Sequence, residues 1–262
     1  MSLLKDLGLG VSTYSKALNI IFNKGLAWFF IFPLLFNLII LWGGLELIDT
    51  LINYSNNYIL NLTKLQNTDF LGSSILKSIS SGVIWVILKI LFYFIYIYVG
   101  GYLVLIVMSP ILSILSEKVD KILTNKIYPF SAEQTMRDVV RGVILALRNL
   151  FIELLIIFSL FMIGLLPIIG WLSSLLSPFI LFIVSSYFYG FSFLDYSNER
   201  NKRNIKQSVI LIKQHKGMAI GNGLIFSIVL LIPIIGTFLA GFVAVISVVA
   251  ATISMNRINN IL

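Results

Sequence analysis

The chain has 262 residues, of which 58% are hydrophobic and only 11% are charged, with a net charge of +8. Soluble domains carry about 25% charged residues, and this chain has uncharged runs longer than the roughly 20 residues that span a bilayer core. These values exclude an ordinary soluble protein and indicate an integral membrane protein. The lack of cysteine excludes disulfides and thiolate metal sites. Because no polar linker divides the chain, one membrane domain over residues 1–262 is predicted.

The N-terminal stretch 1–25 predicts an amphipathic segment lying against the membrane surface. Two glycines in "LGLG" would let backbone N–H groups approach an anion ahead of a helix that starts at Val11. Nearby lysines supply positive charge. The anion-binding candidates are therefore Gly8, Gly10, Lys16 and Lys24. The alternative is a flexible, lipid-facing N-terminus that binds no ligand.

Two membrane crossings are predicted, at about 26–47 and 83–108. In the first, Pro33 and Asn37 lie four residues apart and so share one helical face. Proline frees a backbone carbonyl and asparagine can bond backbone or a neighbouring helix, which favours a packing and kink feature, with a permeant-lining role as the alternative. Ser109-Pro110 is expected to end or kink the second helix. An interfacial amphipathic helix is predicted after it.

Glu153 is a site candidate because an ionisable group in a membrane segment is costly unless it has a function or a partner. Arg148 precedes it by five residues, which places the two about 140° apart on a helix, so they are not expected to pair. The single histidine, His215, lies in a basic stretch and is expected to be solvated or interfacial. The ionisable residues form no catalytic or metal-ligating pattern, so neither an enzyme nor a cofactor is predicted.

Two long uncharged runs each contain the sequence Pro-Ile-Ile-Gly at their centre. Proline disfavours helical geometry at the residue before it, and glycine accepts the torsions of a reversal. Two helical hairpins are therefore predicted, over about 143–194 and 217–255. The residues expected at their turns, as pore or packing candidates, are Pro167, Gly170, Pro233 and Gly236.

Hairpin depth follows from arm length. The arm Met218–Ile232 reaches about 22 Å at 1.5 Å per residue, which is short of a roughly 30 Å bilayer core. The uncharged tips also favour hemi-penetrating hairpins over full crossings. Basic residues cluster in 117–148 and 195–216, so the positive-inside rule places both termini in the cytoplasm and leaves no need for a nucleic-acid partner. Paired, interrupted segments of this kind indicate a transport site.

The opening stretch resembles the CysZ sulfate-permease family, which is grouped with the etoposide-induced protein domain. The residues that carry the resemblance are Gly10, Tyr14, Gly25, Pro33 and Asn37. The stretches "SPILSILSEKVD", "FSFLDYSNER" and "GNGLIFSIVLLIPIIGTFLAGFVAVISVVAAT" match the family in the same order. The resemblance implies two long transmembrane helices and two hemi-penetrating hairpins in an oligomeric, channel-like sulfate transporter of the bacterial inner membrane.

Many members of that family carry consecutive arginines after the glycine of the first turn, and these are associated with sulfate binding. Here Leu26, Ala27 and Trp28 hold those positions. The nearest cation is Lys24, and a lone lysine does not reproduce the two-point geometry of an arginine fork. The predicted function is a permease for an inorganic anion, sulfate by resemblance. The alternative is a non-transport assembly, scaffolding or bilayer-shaping protein.

Overall fold

The computed structural model describes residues 3–39, 50, 54, 73–126, 132–167, 169–232 and 235–259. Every regular element within these ranges is helical. In chain order the elements are α1 (Leu3–Asn23), a 3-10 turn (Ala27–Phe30), α2 (Ser73–Thr124), α3 (Ala132–Gly164), α4 (Ile169–Arg200), α5 (Ile205–Gln214), α6 (Lys216–Leu230) and α7 (Ile235–Asn259). Four described stretches are long and apolar enough to cross a membrane: Val99–Thr124, Met136–Gly164, Ile169–Arg200 and Ile235–Asn259. The predicted class, an all-α integral membrane protein, is confirmed.

The chain forms two compact units, one of residues 1–33 with 99–262 and the other of residues 34–98. In the second unit the described residues 34–39 are helical, and Asn37 among them is buried. Residues 40–47 of the first predicted crossing lie outside the described residues. The single membrane domain therefore stays a prediction, and the contacts below belong to the first unit.

Helix α2 does not end at Pro110, where the sequence pattern placed an end or a kink, but continues to Thr124. Proline has no N–H for the carbonyl four residues earlier, which is that of Ile106. The hydroxyl of Ser109 donates to this carbonyl at 2.8 Å and so replaces the missing bond. The predicted amphipathic helix is accordingly the last part of α2, and Leu112, Leu115 and Val119 of its apolar stripe are buried.

Helix α1 is amphipathic, as predicted, but it begins at Leu3 rather than at Val11. Its buried face packs on α6 and α7 and consists of Asp6, Gly10, Thr13, Tyr14, Ala17 and Ile21. The helix ends at Asn23 and is followed by Gly25, whose φ of 69° is a left-handed conformation that glycine adopts without strain. The Leu26 N–H donates to the Ile21 carbonyl at 3.0 Å, which completes a Schellman cap. The chain then turns by 101° into the next helical segment.

Helix α6 packs between α1 and α4 through glycines. A Cβ added to Gly217 would lie 2.2 Å from the Leu3 carbonyl oxygen, and one added to Gly221 would lie 2.5 Å from that of Leu7. On the side facing α4, a Cβ added to Gly223 would lie 1.8 Å from a carbonyl oxygen of that helix. The spacing Gly217-x-x-x-Gly221 is a known signal for close helix packing.

The two predicted hairpins correspond to α3–α4 and α6–α7, whose members pack against each other. Their turns share one bonding pattern: the N–H of Gly170 donates to Leu166, and that of Gly236 donates to Ile232, each at 2.8 Å. Pro233 lies outside the described residues. By length the arms of the first hairpin can cross a membrane, whereas α6 has only 15 residues. The hemi-penetrating depth stays a prediction.

Both hairpins are expected to depend on the glycine at the turn. A Cβ added to Gly170 would lie 2.2 Å from the Gly164 carbonyl oxygen, and one added to Gly236 would lie 2.3 Å from that of Val229. Each Gly→Ala variant should therefore lower the unfolding free energy by about 1–3 kcal/mol, the usual cost of overpacking. Thermal unfolding in detergent measures this. Gly164→Ala is the matched control, because its nearest new contact, at 3.4 Å, is ordinary. Equal melting temperatures for Gly170→Ala and the control would contradict the expectation.

Candidate functional site: a polar seam between three membrane helices

Polar side chains recur every three, four, seven or eight residues on facing sides of three helices, a spacing that keeps them on one face of each. We name this set the polar seam. On α2 it comprises Tyr102, Ser109, Ser113, Ser116 and Asp120; on α3, Asp138, Arg141, Asn149 and Glu153; and on α4, Ser185, Ser192, Asp195 and Glu199. From Asp138 to Glu153 it extends about 22 Å along α3.

Glu153 forms the deep end of the seam and is only 1% exposed. Its carboxylate accepts a hydrogen bond from the Tyr102 hydroxyl at 2.5 Å and another from the Ser185 hydroxyl. Arg148 instead donates to Asn149, at 3.1 Å. The expectation that Arg148 and Glu153 do not pair is therefore confirmed. Two hydroxyls from neighbouring helices compensate a carboxyl whose burial would otherwise be costly.

The middle of the seam is closed. The Asn149 amide donates to the Ser192 hydroxyl at 3.2 Å, which links α3 to α4. The cavity nearby has a volume of only about 10 Å³ and is lined by Gly142, Tyr196 and Glu199, among others. Such a space holds at most one water molecule. The seam in this conformation is thus a packed set of hydrogen bonds rather than an open path for an ion.

Arg141 organises the outer end of the seam. Its guanidinium forms a fork on Asp195, with N–O distances of 2.8 and 3.0 Å. It also donates to the Arg203 carbonyl at 2.6 Å and to the Ser208 hydroxyl at 2.8 Å. Both side chains of the pair are mostly buried, with exposed fractions of 14% for Arg141 and 6% for Asp195. The pair therefore ties α3 to α4 and to the start of α5.

The seam is acidic overall. Asp138 accepts from Ser113 at 2.9 Å and from Gln134 at 2.8 Å, so its carboxylate is held by neutral donors. Two other carboxylates of the seam are matched by arginines: Asp195 by Arg141, and Asp120 by Arg200 of α4 at 3.6 Å. Within the part of the chain that the structure describes, no group of three or more Asp, Glu or His side chains is arranged to hold a metal ion.

The anion-binding candidates on α1 and just after it fall into two groups. Lys16 and Lys24 are exposed. Gly8 and Gly10 lie inside the helix, where backbone N–H groups are used by helical bonds. Gly10 packs on α6, since an added Cβ would lie 2.8 Å from the Met218 carbonyl oxygen. The anion-binding role of these residues stays a prediction.

The remaining candidates occupy separate positions. Pro33 is buried against Gly241 of α7. A Cβ added to Gly241 would lie 2.6 Å from the Cβ of Pro33. This contact accords with a packing role. Pro167 is exposed at the first turn, while the turn glycines Gly170 and Gly236 are buried.

The structure brings a cation to the first turn that the sequence interpretation missed. The Lys118 ammonium of α2 lies 4.8 Å from the ring centroid of Trp28 and 5.3 Å from that of Phe29, within cation–π range. Both rings come shortly after Gly25 in the chain. No local pattern links residues that are so far apart in the chain.

His215 is expected from the sequence to be solvated or interfacial. The structure contradicts a solvated side chain, because His215 is mostly buried, and the interfacial position stays a prediction. Its Nδ1 lies 3.5 Å from a carboxylate oxygen of Asp6, and the two side chains are 18% and 5% exposed. The difference arises because α1 covers the junction between α5 and α6. Sequence gave no indication that the N-terminal helix folds back onto this point.

These features define a multi-pass α-helical membrane protein with a packed polar seam. The family model described as sulfate transporter CysZ/etoposide-induced protein 2.4 matches residues 13–240. The match covers most of the chain, and the chain belongs to this family. The resemblance in the sequence is thereby confirmed, and the function of the family is membrane transport.

Proposed function

We propose that the protein is a permease or channel-like protein for an inorganic anion, with sulfate as the substrate, and not an enzyme. The observation that carries this proposal is the family match across residues 13–240. The protein acts in the bacterial inner membrane as a homo-oligomer, with both termini in the cytoplasm, where the positive-inside rule places the basic segments. The short arm α6, of 15 residues, supports a hemi-penetrating second hairpin.

The anion is recruited at the first turn. Lys24 precedes Gly25 and is exposed, and the Lys118 ammonium lies over Trp28 just after it. Together with Lys16, these two lysines supply positive charge that attracts the anion. The polar seam is the less suitable entrance because its side chains are engaged with one another and the cavity beside them is only about 10 Å³. Lys118 thus supplies a charge where arginines stand in other family members.

Sulfate uptake into reconstituted vesicles tests both parts of the proposal. Lys118→Gln is expected to lower the initial uptake rate about three- to tenfold, the effect of losing one partly screened charge-assisted contact. Lys121→Gln on the same helix is the matched control and should transport like the unaltered protein. If both variants transport normally, the anion does not bind at Lys118. If the folded, unaltered protein shows no flux above protein-free vesicles, anion transport itself is excluded.

A bilayer-shaping role is the second candidate, and the first hairpin favours it. Its distal half exposes large apolar side chains, including Trp171, Leu175 and Phe179 at 89%, 69% and 68%. Lipid or another copy of the chain must cover such a surface. Deformation of vesicles by a folded protein that shows no sulfate flux would support this role, whereas saturable sulfate uptake would count against it.

A further inference from the structure

We propose that a groove between α3 and the start of α5 binds one anionic phospholipid. The groove has a volume of about 750 Å³ and lies at the basic end of the first hairpin. Its wall is formed by Met136, Val140, Ile144 and Ile205, and its polar rim carries Arg137 and Lys206. An apolar wall beside two cations fits an amphiphilic anion. The inference concerns the lipid around the protein and does not depend on sulfate being the substrate.

The apolar wall continues along α3 towards the hairpin tip. Met136, Val140 and Ile144 are four residues apart and form one stripe on the helix. They are exposed at 64%, 49% and 49% among the residues that the structure describes. Exposed apolar residues continue in the same direction at Leu147 and Phe151. An acyl chain lying on this stripe would extend from the rim into the apolar part of the membrane.

The rim supplies a headgroup site from two helices. Arg137 stands in the first turns of α3, and Lys206 stands in the first turn of α5; both are exposed. A phosphate between them would accept charge-assisted hydrogen bonds from each. Arg137 also bonds Glu133 at 2.9 Å, but that pair is 61% and 79% exposed, so a phosphate can compete with it.

The two other charged residues that line the groove are already engaged. The guanidinium of Arg141 is forked on Asp195 and is not available as a headgroup ligand. Glu199 lies against Asp138 at the outer end of the seam. Charge complementarity therefore selects an anionic headgroup, the apolar wall selects a lipid rather than free phosphate, and basic pockets between membrane helices are known to hold such headgroups.

The test uses the full-length protein, delipidated in detergent. Dioleoyl phosphatidylglycerol, dioleoyl phosphatidylcholine and inorganic phosphate are added separately, and bound lipid is counted by native mass spectrometry alongside the melting temperature. Phosphatidylglycerol is expected to bind at one molecule per chain and to raise the melting temperature. Equal binding of phosphatidylcholine, or an equal rise with inorganic phosphate alone, would overturn the proposal.

Variants locate the site. Arg137→Gln/Lys206→Gln is expected to weaken phosphatidylglycerol binding at least about tenfold, since two charge-assisted contacts are lost. The control Lys213→Gln/Lys216→Gln removes the same charge from exposed positions nearby and should bind normally. Val140→Trp fills the groove, keeps both cations and should also reduce binding. Equal losses in the control, or full binding by Val140→Trp, would show that no specific site exists in this groove.

Discussion

Gly223→Ala is expected to lower the unfolding free energy of the protein by about 3 kcal/mol or more, at or beyond the upper end of ordinary overpacking. An added Cβ would lie 1.8 Å from the carbonyl oxygen of Ser186 in α4. The contact is reciprocal, because a Cβ on Gly190 of α4 would lie 1.8 Å from the Ala219 carbonyl oxygen of α6. A side chain can rotate away from a new methyl group, but here the obstacle is backbone, so two helices would have to separate.

Thermal unfolding in detergent measures this effect, and a fall of about 10 °C corresponds to it at this chain length. Gly8→Ala is the matched control on a described helix. A Cβ there meets no atom within 4 Å, and alanine is favoured over glycine in a helix by about 0.5–1 kcal/mol. The control should therefore be as stable as the unaltered protein or slightly more stable. Equal melting temperatures for Gly223→Ala and Gly8→Ala would show that the two backbones are not in contact.

Loss of Arg141 should be of similar or greater size. Arg141→Gln leaves the carboxylate of Asp195 buried without its cation, and breaking a buried pair costs about 3–5 kcal/mol. Asp195→Asn should show a comparable loss. The double variant Arg141→Leu/Asp195→Leu is expected to be more stable than either single leucine variant, since no uncompensated charge is left. The cycle consists of the unaltered protein, Arg141→Leu, Asp195→Leu and the double leucine variant, and their four melting temperatures give the coupling between the two side chains.

The exposed pair Arg137–Glu133 provides the comparison for that cycle. Both of its side chains are more than half exposed, so Glu133→Gln should change the unfolding free energy by no more than about 0.5 kcal/mol. Additive effects within the Arg141 cycle, or a loss for Arg141→Gln no greater than that for Glu133→Gln, would contradict the buried pair as an anchor of the first hairpin.

Much of the architecture was predictable because it depends on local chemistry. The apolar composition determines membrane insertion, and Pro-Ile-Ile-Gly determines where each hairpin turns. The angle of about 140° between Arg148 and Glu153 around the helix was sufficient to predict that the two do not pair. Local chemistry was insufficient at Pro110, where the neighbouring serine hydroxyl supplies the bond that proline lacks and α2 does not end. It also misplaced the start of α1, which begins at Leu3 rather than at Val11 and packs Gly10 on α6.

The class of protein, the positions of its turns and the presence of a membrane carboxyl that needs a partner could thus be inferred from the residues alone. The identity of that partner depends on how the helices pack. Tyr102 and Ser185 reach Glu153 from 51 and 32 residues away, and Lys118 reaches Trp28 from another helix. Helical periodicity fixes which residues share a face. The faces that meet depend on how glycine and serine let the helices approach, which is a property of several segments together.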